Sequence, residues 1–114
     1  MREKLRDSER LKHIIEAIDN IYEFVNEITY DEYCSNKMMR FAVVKNFEIV
    51  GEASYMLSKE IKTQHAEIEW KDIIAFRHIL VHGYYQIRDE IVWNMISDDL
   101  PLLKEQIKQI MNNL

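Results

Sequence analysis

The stretch Leu11–Ile28, LKHIIEAIDNIYEFVNEI, decides the fold class of this 114-residue chain. Its apolar side chains recur three or four positions apart, which is the repeat of one face of an α-helix. They are Leu11, Ile14, Ile15, Ile18, Ile21, Tyr22, Val25 and Ile28. The pattern predicts a long first helix, from about Leu5 to Ile28, that buries a single apolar stripe.

The composition extends this helical interpretation to the whole chain. Hydrophobic residues make up 47% and charged residues 31%, but there are only two glycines and one proline, too few for the many turns of an all-β fold. A chain of this length can bury one core without disulfides or metals. We therefore expect one all-α domain spanning residues 1–114.

Outward from the first helix, the sequence predicts a four- to five-helix up-and-down bundle. Turn-forming and capping residues at Tyr30–Asn36 predict a loop, in which Ser35 or Asn36 caps the next helix. Further helices are expected at about Lys37–Ile61, at Trp70–Gly83, at Glu90–Leu100 and from Pro101 onward.

The second of these helices is apolar on more than one face, which is typical of a helix that meets both its own core and a partner. Gly51 and Ala53 allow another backbone to approach closely. Glu48 and Glu52, four residues apart, share one side of the helix. For each glutamate, a solvent-facing position is favoured over a functional one.

Charge and cysteine content limit the classes of function. A net charge of −5 argues against broad, salt-driven binding of nucleic acid, although cations outnumber carboxylates between Lys71 and Arg88. Cys34 is the single cysteine and cannot form an internal disulfide. No apolar signal region or membrane-length apolar run is present, so we expect a cytoplasmic protein with no membrane partner.

The segment Phe76–Arg88, FRHILVHGYYQIR, collects the residues best suited to chemistry. Arg77 and His82 are five positions apart, which places them roughly 140° apart around a regular helix. Their convergence requires either a helix end or bend, which Gly83 would permit as a left-handed C-cap, or a second chain. His78 and His82 do share a face, but no cysteine or placed carboxylate completes a metal site.

Two interpretations of this segment remain open. The histidines could simply interact with the negative end of the helix dipole. Alternatively, an imidazole that exchanges a proton near neutral pH and an arginine that holds a phosphate suit metal-free cleavage of RNA, whose 2′-hydroxyl is a built-in nucleophile. Tyr85 and Arg88 could stack on a base or meet a phosphate, or could be packing and solvated charge.

The segment Arg77–Tyr84 resembles the R-x-x-x-x-H-x-Y motif of HepT-like proteins in the HEPN superfamily. The flanking segments are similar too: NFEIVGEA at Asn46–Ala53, then Trp70 before the motif, and a W…I..DLP.L pattern at Trp93–Leu103. The resemblance covers nearly the whole chain in order and length.

The resemblance implies a homodimeric HEPN-like bundle that acts as a ribonuclease toxin without metal or cofactor. Arg77 and His82 of both chains would line a shared cleft, with His78, where the family usually has asparagine, in a supporting polar role. The implied partner, in a type VII-like toxin–antitoxin pair, is a minimal MntA-like nucleotidyltransferase antitoxin. It silences the toxin by transferring AMP from ATP to the motif tyrosine, here Tyr84.

Two other functions compete with this one. The chain could be a non-catalytic binding module or regulatory subunit that docks a nucleotidyltransferase and is modified by it. It could also be a dimeric helical scaffold whose basic patch only binds nucleotide or RNA.

Overall fold

A computed structural model describes residues 2–114, apart from the side chains of Glu3 and Tyr84. This part of the chain holds seven α-helices, one short 3-10 helix and no strand. The α-helices are α1 Arg2–Val25, α2 Tyr30–Ser35, α3 Lys37–Met56, α4 Lys59–Gln64, α5 Trp70–Gly83, α6 Asp89–Asp98 and α7 Leu100–Asn112. Five of them have ten residues or more, and α2 and α4 have six each. The predicted all-α bundle is confirmed.

The apolar stripe of α1 lies at the centre of the core. Leu11, Ile14, Ile18 and Ile21 are all 0% exposed. The stripe packs against α3 and α7, α3 also packs against α5, and α6 packs against α7. Burial of such aliphatic side chains is the main favourable term in folding, at about 1.5–3 kcal/mol each. The stripe that predicted the first helix therefore also organises the bundle.

The segment Tyr30–Ser35 is a helix, so the prediction of a loop there is wrong. The Thr29 hydroxyl accepts a hydrogen bond from the Glu32 N–H, and the Glu32 carboxylate accepts one from the Thr29 N–H, both at 3.1 Å. This capping box satisfies two donors of the first turn. The buried Tyr33 ring then packs 5.1 Å from Trp93 of α6. The expected cap of the next helix is confirmed, because Asn36 accepts a hydrogen bond from the Met39 N–H at 3.0 Å.

The second predicted helix ends at Met56 rather than at Ile61. Leu57 is extended, and Ser58 caps α4 by accepting a hydrogen bond from the Ile61 N–H at 3.2 Å. The Asp7 carboxylate of α1 holds this break, since it accepts hydrogen bonds from the Ser58 N–H at 2.8 Å and the Ser58 hydroxyl at 2.7 Å. A side chain distant in sequence thus divides one apolar stretch into two helices.

The ends of the later helices agree with expectation, with one difference in mechanism. Helix α5 ends at Gly83 as predicted, but no glycine in the described residues has a positive φ. The backbone continues instead into a 3-10 helix, Tyr84–Gln86, so the left-handed C-cap is wrong. Pro101 lies in the first turn of α7, as expected. Within residues 2–114, no helix is long and apolar enough to cross a membrane.

Candidate active site

Helix α5 carries the candidate catalytic residues and is anchored at several points. At its start, the Trp70 indole N–H donates a hydrogen bond to the His65 carbonyl at 3.0 Å. In its middle, the Phe76 ring meets Phe47 of α3 edge to face, with centroids 5.7 Å apart. Leu80 is buried one turn later. These contacts anchor α5 on both sides of Arg77, and the Phe76–Phe47 contact joins it to α3.

Arg77 lies where α3 and α5 approach most closely through a glycine. A Cβ atom built on Gly51 would lie 2.7 Å from the Arg77 Cγ, closer still to the Arg77 Cβ, and 3.3 Å from the Ile73 carbonyl oxygen. Only a residue without a side chain fits here. The stem of Arg77 therefore packs over the Gly51 backbone, as the sequence suggested when it indicated a close approach at this position.

The Arg77 guanidinium is ion-paired with Glu52. An Nη atom of Arg77 lies 2.8 Å from a carboxylate oxygen of Glu52, at a partly exposed position. The Arg77 Nε is buried and has no hydrogen-bond partner among the described residues. Glu52 is exposed, as the sequence favoured, and its carboxylate also has this defined contact with Arg77. The guanidinium retains donors that an incoming anion can take up.

A groove of about 450 Å³ opens beside this ion pair, and we call it the Arg77 groove. Its lining combines basic, acidic and apolar side chains from α1, α3 and α5. The basic ones are Arg10, His13, Lys45 and Arg77, the acidic ones are Glu48 and Glu52, and the apolar ones are Ile49, Ala53, Met56 and Val81. The Nε of Arg10, like that of Arg77, is buried without a partner in the described part of the chain. Cations from three helices therefore line one surface, although the chain as a whole is acidic.

His82 does not line this groove. Helix α5 runs unbroken from Trp70 to Gly83, so no bend brings His82 toward Arg77. His82 is exposed and its ring instead lies beside His78, with centroids 4.5 Å apart. The sequence left open two ways to bring Arg77 and His82 together, a helix end or bend between them or a second chain. Helix α5 neither ends nor breaks between them, so a second chain is the remaining way.

His78 and His82 form a pair that is not part of a larger group of metal-binding side chains among the described residues. Among the residues that the structure describes, no group of three or more His, Cys, Asp or Glu side chains could hold a metal ion. His78 is exposed and its ring contact is with His82 rather than with Arg77. The structure thus places His78 beside the candidate catalytic histidine, where it can affect that residue's hydrogen bonding.

The residues after the helix are placed in different ways. The side chain of Tyr84, the predicted AMP acceptor, lies outside the described part of the structure, while its backbone begins the 3-10 helix. Tyr85 is largely exposed and lines a small surface groove with Arg40 and Phe41. Arg88 is ion-paired with Glu90 at 2.7 Å on the surface, in agreement with a solvated charge.

Sequence reasoning missed the contribution of α1 to the Arg77 groove. Arg10 and His13 are three residues apart and therefore share a side of their helix, which was the available signal. The periodicity of α1 predicts which face is buried, but does not predict that its polar edge lines a groove with α3 and α5. Lys45 was missed for the same reason, since it lies at the edge of a helix whose neighbours were unknown.

Comparisons with known proteins agree with these features. The family model for "Ribonuclease HepT-like" matches residues 14–110. A "Probable ribonuclease HepT" of Thermococcus cleftensis is 34% identical over 100 residues, covering 88% of this chain and 91% of the relative. A protein of Methanocaldococcus jannaschii, provisionally named as an RNase, is 33% identical over 98 residues, covering 86% and 90%. Another so named, from Caldanaerobacter subterraneus subsp. tengcongensis, is 32% identical over 101 residues, covering 89% and 90%.

No solved structure matches the chain. The family model nevertheless spans most of the sequence, and these relatives exceed 30% identity over nearly their full lengths. The resemblance carried by the Arg77–Tyr84 motif is thereby confirmed, and the chain belongs to the HepT-like ribonuclease family.

Proposed function

We propose that this chain, acting as one helical domain, is a metal-independent endoribonuclease. The observation that carries the proposal is the Arg77 groove. It holds a partly exposed guanidinium, next to further cations, on a helix that also presents His82. The names of these three relatives describe them as ribonucleases, which supports the same class of reaction.

In the proposed reaction, the RNA supplies its own nucleophile. His82 removes the proton of a 2′-hydroxyl, whose oxygen attacks the adjacent phosphorus. The bond from phosphorus to the 5′-oxygen breaks, and that oxygen takes up a proton from the imidazolium form of His82. The products are a 2′,3′-cyclic phosphate and a 5′-hydroxyl. Arg77 stabilises the negative charge that grows on the phosphate oxygens in between.

Glu52 competes with the substrate for Arg77. In the free protein its carboxylate occupies the guanidinium at 2.8 Å, so a phosphate must displace it or bind at the remaining donors. Replacement of Glu52 by glutamine keeps the shape and removes the competing charge. We expect Glu52→Gln to bind RNA more tightly than the wild-type protein does.

A homodimer would bring Arg77 of one chain close to His82 of the other. Arg77 and His82 point away from one another on one helix, so an active site built from both needs a second copy across the face of α3 and α5. Met56 and Val81, both in the Arg77 groove, are 47% and 40% exposed. A second copy that packs there would cover this exposed apolar surface. We propose that two copies form a shared cleft there.

The regulatory part of the proposal concerns Tyr84. Its backbone lies two residues after His82, at the end of α5. AMP transferred to its hydroxyl would add bulk and negative charge where the substrate phosphate binds. We propose that a minimal nucleotidyltransferase antitoxin makes this modification, and that the chain is the toxin of the pair. Intact-mass measurement after expression with and without that enzyme tests this step.

Cleavage of a labelled RNA in the presence of EDTA tests the catalytic proposal. Arg77→Ala and His82→Ala are expected to abolish cleavage, while the control Arg88→Ala, which loses only a surface ion pair, should retain it. Equal cleavage by the first two variants would rule out the assigned roles. If no variant or wild-type protein cleaves RNA but Tyr84 is still modified, the chain is the non-catalytic docking module instead.

Mixing the two inactive variants tests the shared cleft. A heterodimer of Arg77→Ala and His82→Ala chains has one site in which both residues are intact, provided that each site takes one residue from each chain. Random mixing should then restore about a quarter of the wild-type activity. A mixture that stays inactive, although sedimentation shows heterodimers, contradicts a site built across the two chains.

A further inference from the structure

A second groove lies apart from the Arg77 groove and shares no lining residue with it. Its volume is also about 450 Å³, and it runs between α3, the start of α5 and the junction of α6 with α7. We call it the acidic groove. Its floor is apolar and consists of Phe47, Val50, Ile68, Ile73, Phe76, Met95, Leu100, Leu102 and Leu103. Leu102 is 64% exposed, so this apolar surface is open to solvent.

The rim of the acidic groove carries charge of one sign. Five exposed carboxylates surround the apolar floor, and no lysine, arginine or histidine lines it: Glu67, Glu69, Asp72, Asp98 and Asp99. Among the described residues, their one contact with a basic side chain is long, 3.6 Å between Glu67 and His65. Elsewhere on the described surface, acidic side chains such as Asp89 and Asp19 do have close cationic partners. In the described part of the chain, no close cationic side chain offsets the repulsion among these five groups.

This charge excludes several occupants. RNA phosphates and anionic lipid headgroups are repelled by the rim. A second copy packed symmetrically would place the five carboxylates against the same five, because a two-fold contact joins identical surfaces. An occupant that gains from this surface must therefore be apolar on one side and cationic at its edges.

The backbone around the groove limits which secondary structure the occupant can have. The described walls are mainly helices, whose backbone donors and acceptors are already paired, and no strand edge is available to an extended peptide. A helix satisfies its own backbone hydrogen bonds and can place an apolar stripe in the groove. We propose that the acidic groove binds a basic amphipathic helix of a partner protein, with Leu102 among its central apolar contacts and Asp72, Asp98 and Asp99 pairing with lysines or arginines.

Selection from a displayed library of random peptides tests this proposal without assuming a sequence. Peptides of about 15 residues, roughly four helical turns, would be selected on the immobilised full chain. We expect the enriched sequences to carry net positive charge with apolar residues spaced three and four apart. Enrichment of acidic or uncharged sequences, or of none, overturns the proposal.

Variants then locate the binding. The best peptide, labelled for fluorescence anisotropy, should bind about tenfold more weakly to the triple variant Asp72→Asn, Asp98→Asn, Asp99→Asn, and similarly to Leu102→Ser. Both sites are exposed, and thermal unfolding checks that the variants fold. Glu105→Gln, on α7 but outside the groove, is the matched control and should leave the affinity unchanged. Equal binding to all three variants places the peptide elsewhere and refutes the assignment.

Discussion

Replacement of Gly51 by alanine tests the close approach that positions Arg77. The added Cβ would lie 2.7 Å from the Arg77 Cγ and 3.3 Å from the Ile73 carbonyl oxygen, and closer still to the Arg77 Cβ. The atoms in the way belong to the stem and backbone of a buried helix face, which cannot move aside as a flexible side-chain end can. Helices α3 and α5 must therefore separate, or Arg77 must change its rotamer.

The expected magnitude combines two opposing effects. Overpacking of a tight contact costs about 1–3 kcal/mol, and two carbon atoms and one carbonyl oxygen in conflict indicate the upper part of that range. Alanine favours a helix interior over glycine by about 1 kcal/mol. We therefore expect Gly51→Ala to lower the free energy of unfolding by about 1–2 kcal/mol, the difference between these two effects.

Urea denaturation followed by circular dichroism measures this change, provided that the dependence on urea is the same in both proteins. Gly83→Ala is the matched control. A Cβ there meets only the side-chain oxygen of Gln86 at 3.5 Å, and its φ is not positive, so this variant should be unchanged or up to about 1 kcal/mol more stable. If Gly51→Ala is as stable as Gly83→Ala, the tight contact does not exist and our account of how Arg77 is positioned is wrong.

Three further substitutions test the corrected parts of the fold. Asp7→Ala should cost about 2–3 kcal/mol in thermal unfolding, because two hydrogen bonds to a buried carboxylate are lost, whereas Glu9→Ala on the same helix should cost little. Glu27→Gly should raise the melting temperature by a few degrees, since Glu27 has φ 60 and glycine removes about 1 kcal/mol of strain. In an NMR titration, the pKa of Glu32 should lie below its ordinary 4.5, because its carboxylate accepts a hydrogen bond from the Thr29 N–H and is also stabilised by the Thr29 hydroxyl. The stability that this group contributes is present above pH 4.5 and declines as the pH falls through the lowered value. Thr29→Ala, which keeps the backbone N–H, should bring the pKa only part of the way back toward 4.5.

Salt dependence offers a separate test of the Arg77 groove. For RNA made uncleavable by 2′-O-methylation, each lost phosphate contact should reduce the slope of log affinity against log salt by about 0.7. Arg10→Gln and Lys45→Gln should each show this reduction, and Lys12→Gln, on α1 but outside the groove, should not. An unchanged slope for both groove variants means that the RNA does not cross the Arg77 groove.

Local signals predicted much of the fold, and the errors occurred where a local signal was overlooked or a distant contact intervened. The stripe of α1, the Asn36 cap and the proline in the first turn of α7 all depend on residues close in sequence. The capping box of Thr29 and Glu32 is equally local and was readable, but the turn-forming residues around it favoured a loop. The end of α3 could not be read in this way, because Asp7 holds Ser58 from 51 positions away.

The sequence by itself determined the helical class, the family motif and the types of residue available for chemistry, since periodicity and spacing act within a few turns of one helix. Only the tertiary structure decided that Glu52 pairs with Arg77 and that α1 contributes cations to the same groove. The reason is physical: a helix sequence specifies which of its faces is apolar, whereas the neighbour of each polar edge depends on how separate helices pack. Here that packing depends on one glycine, which brings α3 within contact of Arg77.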